Sequence, residues 1–440
     1  MDFTGKRKTL AIAVLLATST QLAQADVAVR KDAVDVEVYG VLDAGVGTLV
    51  HSYGGSPVFA STVNPYNLNS SPNNFTGIFS GGVSMSRWGI KAETDLGNGM
   101  KGFLKLESAI DVNTGITSNN GQSIANNTGT LTTASGASAI DGQAFSRAAY
   151  VGMSDTTFGS IQIGRTTNFS LDQVAQYDPV QNALLFSPLG FSGGIGGGLG
   201  ATENTRLDNS IKYENKISNV DVGFQYKFTG NQTDQTAGSA YVAMLGYSDG
   251  PFSMKGTYAK TMNTVAWATQ YSNVAAPASN LQIENTSGYM LSAMYKISPE
   301  ATAKIGYEFA AVTAPDNPNL TGIQSYYGLT TTAAAKNVAA SGEQDFGTFW
   351  IGGDYKITQA FNLAVAYYRI NTYHINDIGK DYLANVYSIL ADYNFNKYFD
   401  TYAGAMFLNY SGEGLADPVK PVVYSYSSNA MYGAGLRFKF

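Results

Sequence analysis

The stretch NAMYGAGLRFKF, Asn429 to Phe440, closes the chain, and its reading decides the fold. Every second residue is apolar or aromatic: Ala430, Tyr432, Ala434, Leu436, Phe438 and Phe440. Between them stand Met431, Gly433, Gly435, Arg437 and Lys439. Successive side chains of a strand point to opposite faces, so this is a strand with one greasy face and one small or charged face. As the edge of a soluble sheet, such a strand would invite aggregation. As the strand that closes a barrel in lipid it would not, because its edge is paired and its greasy face meets hydrocarbon.

The composition agrees with that choice. The 440 residues include no Cys, 48 Gly, 29 Tyr and 22 Phe, and only 14% are charged. A chain so aromatic and so patterned is not disordered, and no composition break marks a domain boundary. Residues 1–25 read as a secretory signal. Lys6, Arg7 and Lys8 precede a short apolar run from Leu10 to Ala17, and Ala23-Gln24-Ala25 offers a small-residue cleavage site. Its removal, taking Asp2 with the three cations, would move the formal net charge from −6 to −8. Export without Cys excludes disulfides, a thiol nucleophile and Cys–metal sites. No later run of about 18 apolar residues exists, so no transmembrane helix is expected.

Alternation recurs through the rest of the chain. Strands are expected over 35–49, 83–95, 100–112, 143–154, 159–165, 205–216, 219–229, 238–248, 252–262, 284–297, 301–312, 345–357, 360–371, 383–395, 398–410 and 429–440. That makes 16, an even number. The connections alternate in length. Short ones such as 96–99, 249–251 and 358–359 follow even-numbered strands. Long ones such as 50–82, 113–142, 166–204 and 313–344 follow odd-numbered strands. Outer-membrane barrels have short periplasmic turns and long extracellular loops, whereas a soluble sandwich has no reason for that asymmetry. Aromatic residues crowd the short-turn ends, among them Tyr226, Phe228, Tyr247, Phe252, Tyr295, Tyr355, Tyr393, Phe395 and Phe438, as an interfacial girdle would. The opposite face carries Asp43, Lys91, Glu93, Lys105, Glu107, Asp208 and Lys212, charges that fit a wet lumen and not a dry core. A barrel of 16 strands leaves an aqueous channel, where about 8 would fill with side chains.

Several motifs together resemble a known family. Val38-Tyr39-Gly40-Val41-Leu42-Asp43-Ala44-Gly45 is similar to the opening strand of Gram-negative trimeric general porins. So are Ser86-Arg87-Trp88-Gly89-Ile90-Lys91 running into Asp95-Leu96-Gly97-Asn98-Gly99, Ser146-Arg147-Ala148-Ala149-Tyr150, Gly159-Ser160-Ile161-Gln162-Ile163-Gly164-Arg165, Arg206-Leu207-Asp208-Asn209-Ser210 and the terminal Phe440. The resemblance covers essentially all of residues 26–440. It implies an all-β, 16-stranded antiparallel transmembrane β-barrel whose third extracellular loop, 166–204, folds inward and narrows the pore. It also implies a homotrimer, with loop 113–142 latching a neighbour, and outer-membrane lipid and lipopolysaccharide as partners. The family's ladder of wall arginines falls on Arg87, Arg147 and Arg206. Alternation places these inward and puts Trp88, Ala148 and Leu207 on the lipid face. The loop supplies Asp172 and Asp178, then no acid until Glu203. It is less acidic than the family's loop and lacks its Pro-Glu-Phe-Gly-Gly pattern, having Ser187-Pro188-Leu189-Gly190.

Opposed charges on two walls of an eyelet set up a field that admits water and small polar solutes. Three arginines facing few acids point to a weak preference for anions. The expected function is passive diffusion of small hydrophilic solutes and ions through the outer membrane. A substrate-specific channel or a barrel-anchored adhesin is the alternative. An enzyme finds little support. The two histidines, His51 and His374, fall in expected loops, outside any catalytic or zinc-binding pattern. The Gly run at 193–200 does not form a nucleotide-binding turn. No cofactor, metal or nucleic-acid partner is expected.

Overall fold

Alternation of small or apolar with polar residues builds one continuous antiparallel sheet. The computed structural model describes residues 27–31, 34–50, 74–115, 144–191, 206–229, 239–267, 281–313, 320–321, 324, 330–339, 344–373, 382–411 and 428–440. Its strands are β1 (Val27–Lys31), β2 (Val34–Val50), β3 (Phe75–Ser80), β4 (Arg87–Gly97), β5 (Met100–Ala109), β6 (Ala148–Asp155), β7 (Gly159–Thr167), β8 (Arg206–Ile217) and β9 (Val220–Lys227). There follow β10 (Ala240–Asp249), β11 (Phe252–Trp267), β12 (Leu281–Lys296), β13 (Ala301–Thr313), β14 (Gln344–Lys356), β15 (Phe361–Tyr373), β16 (Tyr382–Asn394), β17 (Phe399–Ser411) and β18 (Ser428–Lys439). Three helices are described: α1 (Phe169–Tyr177), α2 (Pro188–Phe191) and α3 (Thr332–Ala339), the last lying against β12. No described helix is long and apolar enough to cross a membrane.

Each strand from β4 onward pairs with the next, and β18 returns to pair with β2 from Ala430↔Val50 to Lys439↔Val41. Gly40 and Phe440 then exchange backbone hydrogen bonds of 2.8 and 3.0 Å. The terminal strand therefore closes the ring as its sequence requires. The 18 strands occupy 16 positions in the wall. β3 pairs with residues 44–49 of β2 and β4 with residues 34–41, so the two share one position. β1 pairs with residues 34–38 of β2, beyond the end of β18, and is outside the closed ring.

The sequence expects one strand, 83–95, at the shared position, with 75–80 left in a loop. The difference has a physical cause. Gly81, at φ +81°, turns the chain out of the ladder, and residues 81–86 leave the sheet before β4 resumes. Asp43 holds this detour, accepting from the amides of Gly82, Val83 and Ser84 at 3.1, 3.0 and 2.7 Å and from the Tyr402 hydroxyl. Such a set of converging N–H groups is an anion nest filled by the protein's own carboxylate. Asp43 is fully buried, so it organises the wall and does not line a wet lumen.

One face of the sheet is apolar and exposed. Leu245, Leu291, Val365, Ile389 and Leu436 stand there, with rings toward both ends. In the β16–β17 hairpin, Tyr393, Phe395 and Phe399 sit at the turn, with Phe395 edge-on to Tyr393 at 5.0 Å and tilted against Phe399 at 5.8 Å. Tyr387 and Phe407, paired across the same strands, form the second level eight residues higher. At about 3.4 Å per residue this separates the levels by roughly 27 Å along the strand, which a tilt of about 40° reduces to roughly 21 Å across the membrane, close to the height of a lipid-facing apolar band. Tyr226 and Phe228, expected at the short-turn end, belong to the other one. Phe228 bonds back to Asn209, far from the Ile217–Val220 turn.

Candidate pore constriction

Glu107 on β5 gathers the charged side of the sheet. Its Oε2 accepts from the Tyr39 hydroxyl at 2.6 Å and lies 3.2 Å from Lys105 Nζ and 3.7 Å from Arg87 Nε. Its Oε1 accepts from Arg147 Nε at 2.6 Å. Arg165 donates to the Ser146 carbonyl at 2.8 Å and pairs with Asp208. Arg206, buried, lies within electrostatic range of Arg147, Arg165 and Arg87. Five cations thus cluster around two carboxylates, Glu107 and Asp208. Toward the short-turn end, Lys91 pairs with Glu37 at 2.9 Å, and Glu93 pairs with Lys101.

Arg87, Arg147 and Arg206 do come together, although for two of them the alternation is broken. Ala148 lies opposite Glu107 and shares its inward face, contrary to the expected lipid-facing position. Arg147 precedes β6 and reaches Glu107 from a bend. Leu207 was also expected against lipid, yet it is fully buried beside Phe169, Ala240 and Val242. The register shifts between Gly164 and Thr166, and Asn209 adopts φ +50°. A bulge of this kind adds a residue and resets which way side chains point. The same bulge turns Arg165 into the cluster, although it shares the parity of the exposed Ile161 and Ile163. Gly164, at φ +134°, was the signal for it.

β7 extends to Thr167, so the connection expected at 166–204 begins at Asn168. The Asn168 side chain caps α1 by accepting from the Ser170 amide at 2.9 Å. Gln173 donates to the Lys255 carbonyl at 2.8 Å and to Ser292 Oγ at 2.7 Å, fixing the helix on β11 and β12. Trp350 Nε1 donates to the Tyr177 carbonyl at 3.1 Å, and Lys304 Nζ to that of Asp178 at 2.9 Å. Further along the segment the Leu185 amide donates to the Gly82 carbonyl at 2.9 Å. Phe186 lies edge-on to Tyr402 at 6.3 Å and fills the space above Gly404, where a Cβ would come within 3.0 Å of its ring. Val174, Val180, Ala183, Leu185, Phe186 and Leu189 form a buried apolar cluster with the wall.

The acids of this segment do not oppose the arginines. Asp172 is paired with Lys212, which also stands over the Phe169 ring at 4.3 Å. Asp178 accepts from the Tyr368 hydroxyl at 2.5 Å and from the Asn182 amide at 2.7 Å, and is fully buried. Glu203, His51, His374 and residues 116–142 lie outside the described residues. A cavity of about 350 Å³ lies beside the segment, lined among others by Arg87, Gln181, Asp354, Lys356, Asp392 and Arg437. Gln181, a neutral amide, is what the segment offers to the space that Arg87 also lines. Among the described residues no cluster could hold a metal ion.

Burial raises the Asp178 carboxyl above the ordinary carboxylate range, and its hydrogen bonds offset only part of that rise. Its folded value exceeds its unfolded one, so its contribution to docking is fully present at low pH and is lost as pH rises through the folded value. Asp178→Asn should flatten the pH dependence of the denaturant midpoint between the ordinary carboxylate range and neutrality. An unchanged slope would exclude this role.

The sequence profile of the Gram-negative porins matches residues 9–413. The chain belongs to that family. This porin is accordingly an outer-membrane β-barrel. It is 29% identical over 233 residues to an outer membrane porin protein of Bordetella pertussis, a match covering 52% of this chain and 50% of that one. It is 25% identical over 322 residues to outer membrane porin protein 32 of Delftia acidovorans, covering 70% and 76% of the two chains. The match thus spans about half the length of the first relative. Among solved structures, the anion-selective porin from Comamonas acidovorans shares the porin's fold with a TM-score of 0.61, covering 92% of this chain and 100% of that one at 17% identity.

Proposed function

We propose that this porin is a water-filled channel for passive diffusion of small hydrophilic solutes and ions, with a preference for anions. The segment from Asn168 to Phe191 would be its constriction. The support is topological. A stretch of some two dozen residues bonds or packs to β11, β12, β13, β14, β15 and β17 and to residue 82. A segment that short reaches so many strands of a closed ring only by crossing its interior.

The anion preference rests on one observation: the acids of the segment, Asp172 and Asp178, are consumed by Lys212 and Tyr368. The aperture is left with Arg87, Lys105, Arg147, Arg165 and Arg206 around Glu107 and Asp208. A net positive aperture with low-dielectric walls concentrates anions and repels cations. Reversal potentials in planar bilayers under a KCl gradient test this. A sign reporting chloride over potassium is expected, and the opposite sign would refute it. Conductance should rise linearly with salt, as free diffusion requires. Homotrimeric assembly and contact with lipopolysaccharide belong to the same proposal, and cross-linking in outer-membrane fractions tests the first.

A further inference from the structure

The inward face of a water-filled barrel should be polar, yet two rings adjoin on it across β5 and β6, Phe103 and Tyr150, with the buried ring of Tyr39 beyond them on β2, across β4. Their parity is fixed by the ladder. Phe103 lies between Lys101 and Lys105 on the face of Glu107, and Tyr150 is paired with Lys105. Val151 and Met153, the outward neighbours of Gly152, are exposed on the apolar face. Phe103 does not fill a core. Its partner across the sheet is Gly152, where a Cβ would come within 2.5 Å of Cε2 and Cζ of the ring. The ring lies down on the bare backbone of the next strand, which leaves its other side toward the lumen. Tyr150 meets it edge-on at 6.3 Å and an interplanar angle of 88°. Both rings are half-buried, so part of each is left accessible. Among the described residues, α1 makes its main contacts with β10, β11, β12 and β13, away from Phe103.

Cations border the rings. Lys91 Nζ is 4.4 Å and Lys105 Nζ 5.7 Å from the centre of the Tyr39 ring. Lys105 shares the single carboxylate of Glu107 with Arg87 and Arg147, so three positive charges are met by one negative one there. Glu93, opposite Phe103 on β4, is neutralised by Lys101, so the excess charge beside the rings stays positive, and a flat apolar surface there fits a planar ring that carries a carboxylate. An aromatic ring gains from offset or edge-on contact with Phe103 and Tyr150, and its carboxylate gains from the ammonium of Lys105. Small inorganic anions use the charge alone.

We propose that Phe103 and Tyr150, with Lys105, form a lumen-wall subsite for aromatic carboxylates on the short-turn side of the arginine cluster. The inference rests on the channel reading above and names a solute class for it. Its orientation follows from the strand: Phe103 is four residues nearer the β4–β5 turn than Glu107. A benzoate-like solute would meet its ring platform on one side of the arginines and its charge partners toward them.

The test is single-channel recording in KCl with benzoate, cyclohexanecarboxylate or acetate added to one chamber at millimolar concentration. Benzoate should produce concentration-dependent current fluctuations or partial block, at least fivefold stronger than either non-aromatic acid. Phe103→Leu keeps an apolar side chain over Gly152 and should remove most of the benzoate effect, leaving chloride conductance and reversal potential unchanged. Equal block by cyclohexanecarboxylate, or undiminished benzoate block in Phe103→Leu, would overturn the subsite. So would the absence of any benzoate effect in a channel that conducts KCl. A protein that conducts nothing would instead sink the channel reading itself.

Discussion

Replacing Arg87, Arg147 and Arg206 together by serine should abolish the anion preference proposed for the channel. Three unit charges about 7 Å from an ion on the axis, at a dielectric near that of water, contribute roughly 0.6 kcal/mol each. They attract an anion and repel a cation by similar amounts, so their joint effect on the permeability ratio is about 3 to 4 kcal/mol before screening. Salt at physiological strength, with a Debye length of about 8 Å, removes a large part of this. What survives corresponds to roughly a tenfold change in the ratio. In the triple variant Lys105 and Arg165 remain against Glu107 and Asp208, a balanced set, so the ratio should fall to about unity. Single variants should each shift it less than additively expected, because Arg87 and Arg147 share Glu107. Reversal potentials in a KCl gradient compare the parent, the three single variants and the triple variant. A triple variant with the selectivity of the parent would show that the arginines do not border the ion path.

The arginine side was only partly legible in the sequence. Alternation is a period-two signal, and it holds wherever the ladder is regular. Leu436 and Phe438 face out and Arg437 and Lys439 in, with Arg437 bonded to Asp400 and Asp392. It fails at one-residue insertions. The bulge at Gly164 turned Arg165 inward and the shift at Asn209 buried Leu207, and each adds an odd step that a count of two cannot register. Arg147 reached the cluster for a different reason, by standing just before the strand in a bend. The role of Asp43 was hidden too. A carboxylate on the charged face reads as a lumen charge, whereas its four donors come from residues 39 to 359 positions away in sequence. No local period records contacts of that range.

The same limit governs the segment 168–191, proposed above as the constriction, and Phe186→Ala tests its packing most directly. The acids of 166–204 were visible in the sequence, and so was their scarcity. Their partners, Lys212 and Tyr368, were not. Wall glycines offered a clue. Gly223 and Gly404 stand on the inward face where a Cβ would meet Phe169 and Phe186 at 2.5 and 3.0 Å, so each makes room for a ring of the segment. Truncating Phe186 removes a fully buried ring from between Tyr402 and Gly404, a change that typically costs about 3 to 5 kcal/mol. The strand ladders do not depend on it, so the barrel should still fold, and boiled and unboiled samples should still migrate differently on gels. The docking of 178–189 does depend on it. Its other ties on that side include the Leu185–Gly82 bond and the packing of Ala183, Leu185 and Leu189. The constriction should therefore loosen at its far end, raising single-channel conductance severalfold and admitting sugars that the parent excludes in liposome swelling. Trp350→Phe, which keeps an aromatic ring of smaller size and removes the donor to the Tyr177 carbonyl, leaves one buried acceptor unpaired at a cost of about 1 to 3 kcal/mol. It acts at the α1 end and should change conductance much less. Equal conductance and equal swelling rates in Phe186→Ala and the parent would mean that the segment does not set the width of the channel.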